Sequence, residues 1–63
     1  MTATEHAQMI FDAAIAAHST ACHTARAARR EGAPADVHLA NRDRRRAAHE
    51  VVQAAYAALI ATY

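Results

Sequence analysis

The chain is 63 residues long, shorter than one ordinary domain, and a multi-domain enzyme is excluded. Twenty residues are Ala, all seven members of the Lys/Arg class are Arg, and there is one Gly, one Pro, one Cys and no Trp. So few turn formers exclude a sandwich or barrel, and the formal net charge of +1 conceals a strongly uneven distribution.

At the start, Thr2-Ala3-Thr4-Glu5 has the form of a capping box, with a Thr hydroxyl for one free N–H and a Glu carboxylate for another. Helix one is expected over about residues 3–31, because Ala dominates the stretch and is the best helix former. One flank is apolar at helical spacing: Ile10, Ala14, Ala17 and Ala21, together with Phe11, Ile15, His18 and Cys22. Glu5, Asp12, Ser19, His23, Arg26 and Arg30 fall on the other flank.

Only one stretch reads as a break. Gly32 suits the left-handed position just past a helix end, and Pro34 suits the first turn of a new helix. The turn is placed at 32–34 and helix two at about 34–62. So short a connection makes the helices antiparallel neighbours. The expected fold is all-α, a two-helix antiparallel hairpin forming a single domain over 1–63.

Two heptad columns of Ala suggest the line of contact. Ala7, Ala14, Ala21 and Ala28 repeat in helix one, as do Ala40, Ala47, Ala54 and Ala61 in helix two. Folded about Pro34, residue 7 pairs with 61, 14 with 54, 21 with 47 and 28 with 40. In that arrangement the bulky stripe of Val52, Tyr56, Leu59 and Tyr63 faces outward. Such a stripe marks an interface, and the hairpin is expected to form a homodimer, an antiparallel four-helix bundle with Val52, Tyr56, Leu59 and Tyr63 between its halves.

The charge sits at the turn. Arg26, Arg29, Arg30, Arg42, Arg44, Arg45 and Arg46 all lie between residues 26 and 46, where three acids reduce them to a net +4. The first three favour the C-terminal end of helix one through its dipole. The run from Arg42 has no such benefit; Arg46 has Glu50 within reach at i,i+4, and Asp43 tempers its neighbours. The seven arginines are therefore the candidate partner-binding residues, with an acidic protein surface the favoured partner. No aromatic residue lies among them to stack on bases.

His18 lies at the centre of the apolar flank, with Cys22 one turn on and His49 at the edge of helix two's stripe. These three are the weak candidates for metal ligation. A closed site needs four ligands, so no metal and no cofactor is expected, and His18 reads better as a core histidine. No Ser-His-Asp pattern, Gly-rich phosphate loop or carboxylate pair is present, and no enzyme is expected.

The lone Cys22 removes an intramolecular disulfide and points to a reducing compartment. No run approaches eighteen apolar residues, and no basic residue precedes Arg26 as a signal peptide requires. A cytoplasmic location is expected, with no membrane partner. Arg to the exclusion of Lys, with so much Ala, fits a high-GC bacterium or a phage of such a host. These features together lead to a small regulatory or interaction protein that dimerises and presents an Arg-rich turn end.

In length and layout this hairpin dimer resembles the ROP type of plasmid copy-number regulator, a dimer of helical hairpins that binds RNA. The resemblance is one of architecture, and it implies RNA or DNA binding through the same arginines as an alternative. A purely structural bundle subunit is the second alternative.

Overall fold

The computed structural model describes residues 1–63 and contains two helices, α1 (Ala3–Arg30) and α2 (Ala35–Ile60), packed against each other as a hairpin. There is no strand. The molecule is a rod with extents of 45 × 14 × 11 Å.

The helix ends explain why the chain folds where it does. At the start of α1, Thr2 Oγ1 accepts a hydrogen bond from the Glu5 N–H at 3.1 Å, and the Thr2 N–H donates to Glu5 Oε1 at 3.3 Å. The capping box is thus complete. At the other end, the Ala33 N–H donates to the Ala28 carbonyl at 3.0 Å and the Gly32 N–H to the Arg29 carbonyl at 3.2 Å. That pair of bonds is a Schellman motif, and it requires the positive φ of +70° that Gly32 supplies.

α2 opens one residue later than expected. Pro34 is its N-cap, with extended φ and ψ of −69° and 164°, and is not the first helical residue. The fixed ring still serves the start, because the Pro34 carbonyl accepts from the Val37 and His38 N–H groups at 3.1 and 3.3 Å. α2 also ends at Ile60, two residues short of the expected limit.

The contact between the helices follows a heptad in both. In α1 it runs through positions 4, 7, 11, 14, 18, 21, 25 and 28, every one buried or half-buried. In α2 it runs through 38, 41, 45, 48, 52, 55, 59 and 62, again all buried or half-buried. Spacings of three and four alternate along both, as in a coiled-coil seam. Ala7, Ala14, Ala21 and Ala28 all lie in this seam, and small side chains there let the two backbones approach closely.

The column expected in α2 is one residue out. Ala40, Ala47, Ala54 and Ala61 are all exposed, and Asn41, Ala48, Ala55 and Thr62 take their place. One residue is about 100° of rotation on a helix. That rotation turns Val52 and Leu59 inward, where the alternative would have buried Val51 and Ala58. Leu59 is only 6% exposed and is the one large apolar side chain that is buried. The larger side chains decide the rotation, because burial scales with apolar area.

The expected outward stripe therefore divides. Val52 and Leu59 belong to the hairpin's own seam, whereas Tyr56 and Tyr63 are 52% and 86% exposed. The Tyr56 ring leans on Phe11 across the seam, their centroids 5.7 Å apart at 47°. Bulk is concentrated at the end carrying the termini. Towards the turn the seam of α2 is His38, Asn41 and Arg45, facing mostly Ala.

Candidate functional site

The rod has two long sides, and they differ. Phe11 with Tyr56 and His18 with His49 meet on one side, and each pair of neighbours along a helix is seven residues apart. The opposite side carries an open groove near the turn, with a cavity of about 670 Å³ lined by Thr24, Glu31, Val37, Asn41 and Arg44 among others. Those groove residues sit at or one position before the seam residues. The ring-bearing positions of α2, His49 and Tyr56, sit one position after. In an antiparallel pair, rotations of the same sense on both helices lead to the same side.

This frame separates the arginines. Arg26 and Arg29 in α1, and Arg42 and Arg46 in α2, all follow a seam position by one residue and share the ring-bearing side. Together they form a basic strip along the half of that side nearest the turn. Arg44 lies on the groove side, Arg30 on the outer face of α1, and Arg45 on the seam itself, where it is half-buried. The sequence places all seven at one end, and the structure brings four of them onto one surface.

Few of these charges are neutralised. The one ion pair joins Arg42 to its neighbour Asp43 at 3.5 Å, in the open. Such an exposed pair contributes little, about 0–1 kcal/mol. Arg46 makes no bridge to Glu50, although their spacing allows one. Arg44 Nη1 donates to Asn41 Oδ1 at 2.9 Å. Arg45 Nε is buried and has no acceptor. The remaining guanidinium groups keep their hydrogen-bonding forks free for an anionic or carboxylate-bearing surface.

Comparison with family models, curated proteins and solved structures finds no match.

His18, Cys22 and His49 do lie close together in pairs. The two imidazole centroids are 5.8 Å apart at 52°, and Cys22 Sγ lies 3.9 Å from His18 Nδ1 and 4.0 Å from Nε2. No group of three or more His, Cys, Asp or Glu converges on one point. His18 is half-buried at the seam, in keeping with a side chain that packs on one face and meets water on the other. No helix is long and apolar enough to cross a membrane.

In the sequence Asn41 reads only as an interruption of helix two's apolar stripe, with Arg44 and Arg45, and not as a candidate site residue. It is 5% exposed, bonded through Oδ1 to Arg44, and its Nδ2 is buried without a partner. The signal was present in the sequence: an Asn at heptad spacing from Ala48 and Ala55. It was masked because the neighbouring column, Ala40 and Ala47, offered a cleaner apolar repeat.

Proposed function

We propose that the protein is a small non-enzymatic interaction or regulatory protein, acting in the cytoplasm, that dimerises and binds an acidic protein surface through its arginine strip. The observation that supports this reading is the strip itself. Arg26, Arg29, Arg42 and Arg46 share one side, and only Arg42 has a carboxylate within 4 Å, that of the adjacent Asp43. Like charges gathered at this density repel one another on a surface, and an acidic partner removes that repulsion. No Phe, Tyr or Trp lies among the arginines, which favours a protein partner over stacked bases.

The alternative, ROP-type binding of RNA or DNA, uses the same side chains, and one titration separates the two. Fluorescence anisotropy with a labelled oligoglutamate peptide and with a labelled RNA hairpin and DNA duplex, each at 50 and 200 mM salt, is the test. The proposal expects peptide binding that falls several-fold when Arg42 and Arg46 are replaced by Gln. Tighter binding to the nucleic acids, falling by about 100-fold or more between the two salt concentrations, would select the alternative. No binding to any probe, with the Arg→Gln chain retaining activity in its host, would leave only the structural bundle subunit.

A further inference from the structure

The two sides of the rod differ in charge more sharply than the arginines alone suggest. One residue after each seam position, on the ring-bearing side, stand six formally charged residues: Glu5, Asp12, Arg26, Arg29, Arg42 and Arg46. One residue before each seam position, on the groove side, Arg44 is the only charged residue within the helices, and Glu31 joins it at the turn end of the groove. Apart from His6, the other groove-side positions of α1 are Ala, Ile or Thr, and those of α2 are Val or Ala. The Ala40, Ala47, Ala54 and Ala61 column lies here, interleaved with Val37, Val51 and Ala58 at spacings of three and four. α2 thus carries a second heptad column, broken only by Arg44, that nothing in the protomer covers.

Area supports a covering. The chain exposes 4487 Å² for a mass of 6.8 kDa. Size scaling gives about 4,000 Å² for a folded monomer of that mass. The surplus of about 500 Å² is of the order that one partner buries in a standard interface, about 800 Å². Ile10 and Val51, 47% and 56% exposed, are the most exposed large apolar side chains on this side.

We infer that the groove side is where a second copy of this chain docks, with the turns of the two copies at opposite ends. This inference rests on the dimer proposed above and names its face. The orientation follows from charge. Residues 26–46 carry a net +4 and the remainder a net −3, so opposed turns set each basic end beside the other copy's acidic end. Turns side by side would place two +4 ends together. With opposed turns, α2 lies antiparallel on α2 of the second copy, and Val51 falls near the two-fold axis. Arg44, the one charge that α2 places on the face, is carried towards the C-terminal end of the other α2, whose free carbonyls favour a cation. The arginine strip, on the opposite side, stays open to a partner.

The test uses the full chain in sedimentation velocity, with helicity followed by circular dichroism. Wild type is expected to run at twice the chain mass, Val51→Arg at half of that, and Ile15→Arg, on the other side, as wild type. A dimeric Val51→Arg with a monomeric Ile15→Arg would overturn the face while leaving the dimer intact. A wild type monomeric at 100 μM would overturn both. In a Cys22→Ser background, Val51→Cys is expected to form a disulfide-linked dimer on mild oxidation, and this variant decides the matter if Val51→Arg fails to fold. Linkage only when Ala17→Cys is also present would place α1 on α2 and overturn the opposed turns.

Discussion

Replacing Asn41 by Leu is expected to stabilise the hairpin. Asn41 sits in the seam at 5% exposure, and its Nδ2 has neither a protein partner nor access to solvent. An unsatisfied buried donor costs about 1–3 kcal/mol. The substitution abolishes that cost and adds about 1 kcal/mol of apolar burial, since the pocket beside it has room for the branched chain. Against this stands the loss of the 2.9 Å bond from Arg44 to Asn41 Oδ1. Arg44 is exposed and rehydrates on release, so that loss is about 1 kcal/mol. The net gain is about 1–3 kcal/mol, which for a domain of this size raises the midpoint by about 4–24 °C.

The assay is thermal melting by circular dichroism at 222 nm, with wild type and variant at one protomer concentration so that association affects both alike. Asn41→Ala is the companion. It also removes the orphaned donor but leaves a void, and its midpoint should fall between the other two. A Leu variant that melts below wild type would refute the reasoning, because it would show that Nδ2 is in fact satisfied. The gain has a cost in specificity. A lone buried amide in the seam fixes which faces meet, and the Leu variant should show broader, less cooperative unfolding.

Leu59→Ala is expected to cost about 2–3 kcal/mol in urea denaturation, since Leu59 is the one large apolar side chain buried in the seam. The value belongs at the low end of the usual range because a two-helix seam collapses more readily than a closed core. Gly32→Ala is expected to cost about 1–2 kcal/mol through backbone strain alone, as φ is +70° and no atom lies within 4 Å of the added Cβ. Gly32→Asn, which tolerates that conformation better, should recover part of the loss in the same melts.

What was legible in the sequence was set by local chemistry. The capping box at Thr2 and Glu5 and the positive φ at Gly32 depend on residues a few positions apart, and both stand as read. So does the seam of α1, where one column of Ala had no near rival. In α2 two adjacent columns competed, Ala40-Ala47-Ala54-Ala61 and Asn41-Ala48-Ala55-Thr62, and purity of the repeat favoured the wrong one. Rotation of a helix is decided by the sum of burial over the whole seam. Val52 and Leu59 outweigh the polar Asn41 and Arg45 that came in with them. The same 100° error misplaced the outward stripe, since Leu59 and Tyr56, three residues apart, end on different surfaces. The arginines were grouped by sequence distance alone, and only their rotation relative to the seam divides them into a strip of four and three outliers.

The distribution of bulk along the rod explains how a molecule so small carries so much like charge. Phe11, Val52, Tyr56 and Leu59 cluster towards the termini, the end where no covalent link holds the helices together. At the other end the peptide chain itself closes the pair through four residues, and the entropy of bringing the helices together there is small. The Schellman bonds at Gly32 fix the geometry of that closure without any side chain. The turn half can therefore do without bulky apolar seam residues, and it holds Ala, Asn41 and Arg45 in their place. Positions released from packing are the ones where mutual repulsion between guanidinium groups is tolerated, because a hairpin cannot splay at its own turn. Moving the same arginines to the terminal half would set their repulsion against the weakest point of the fold.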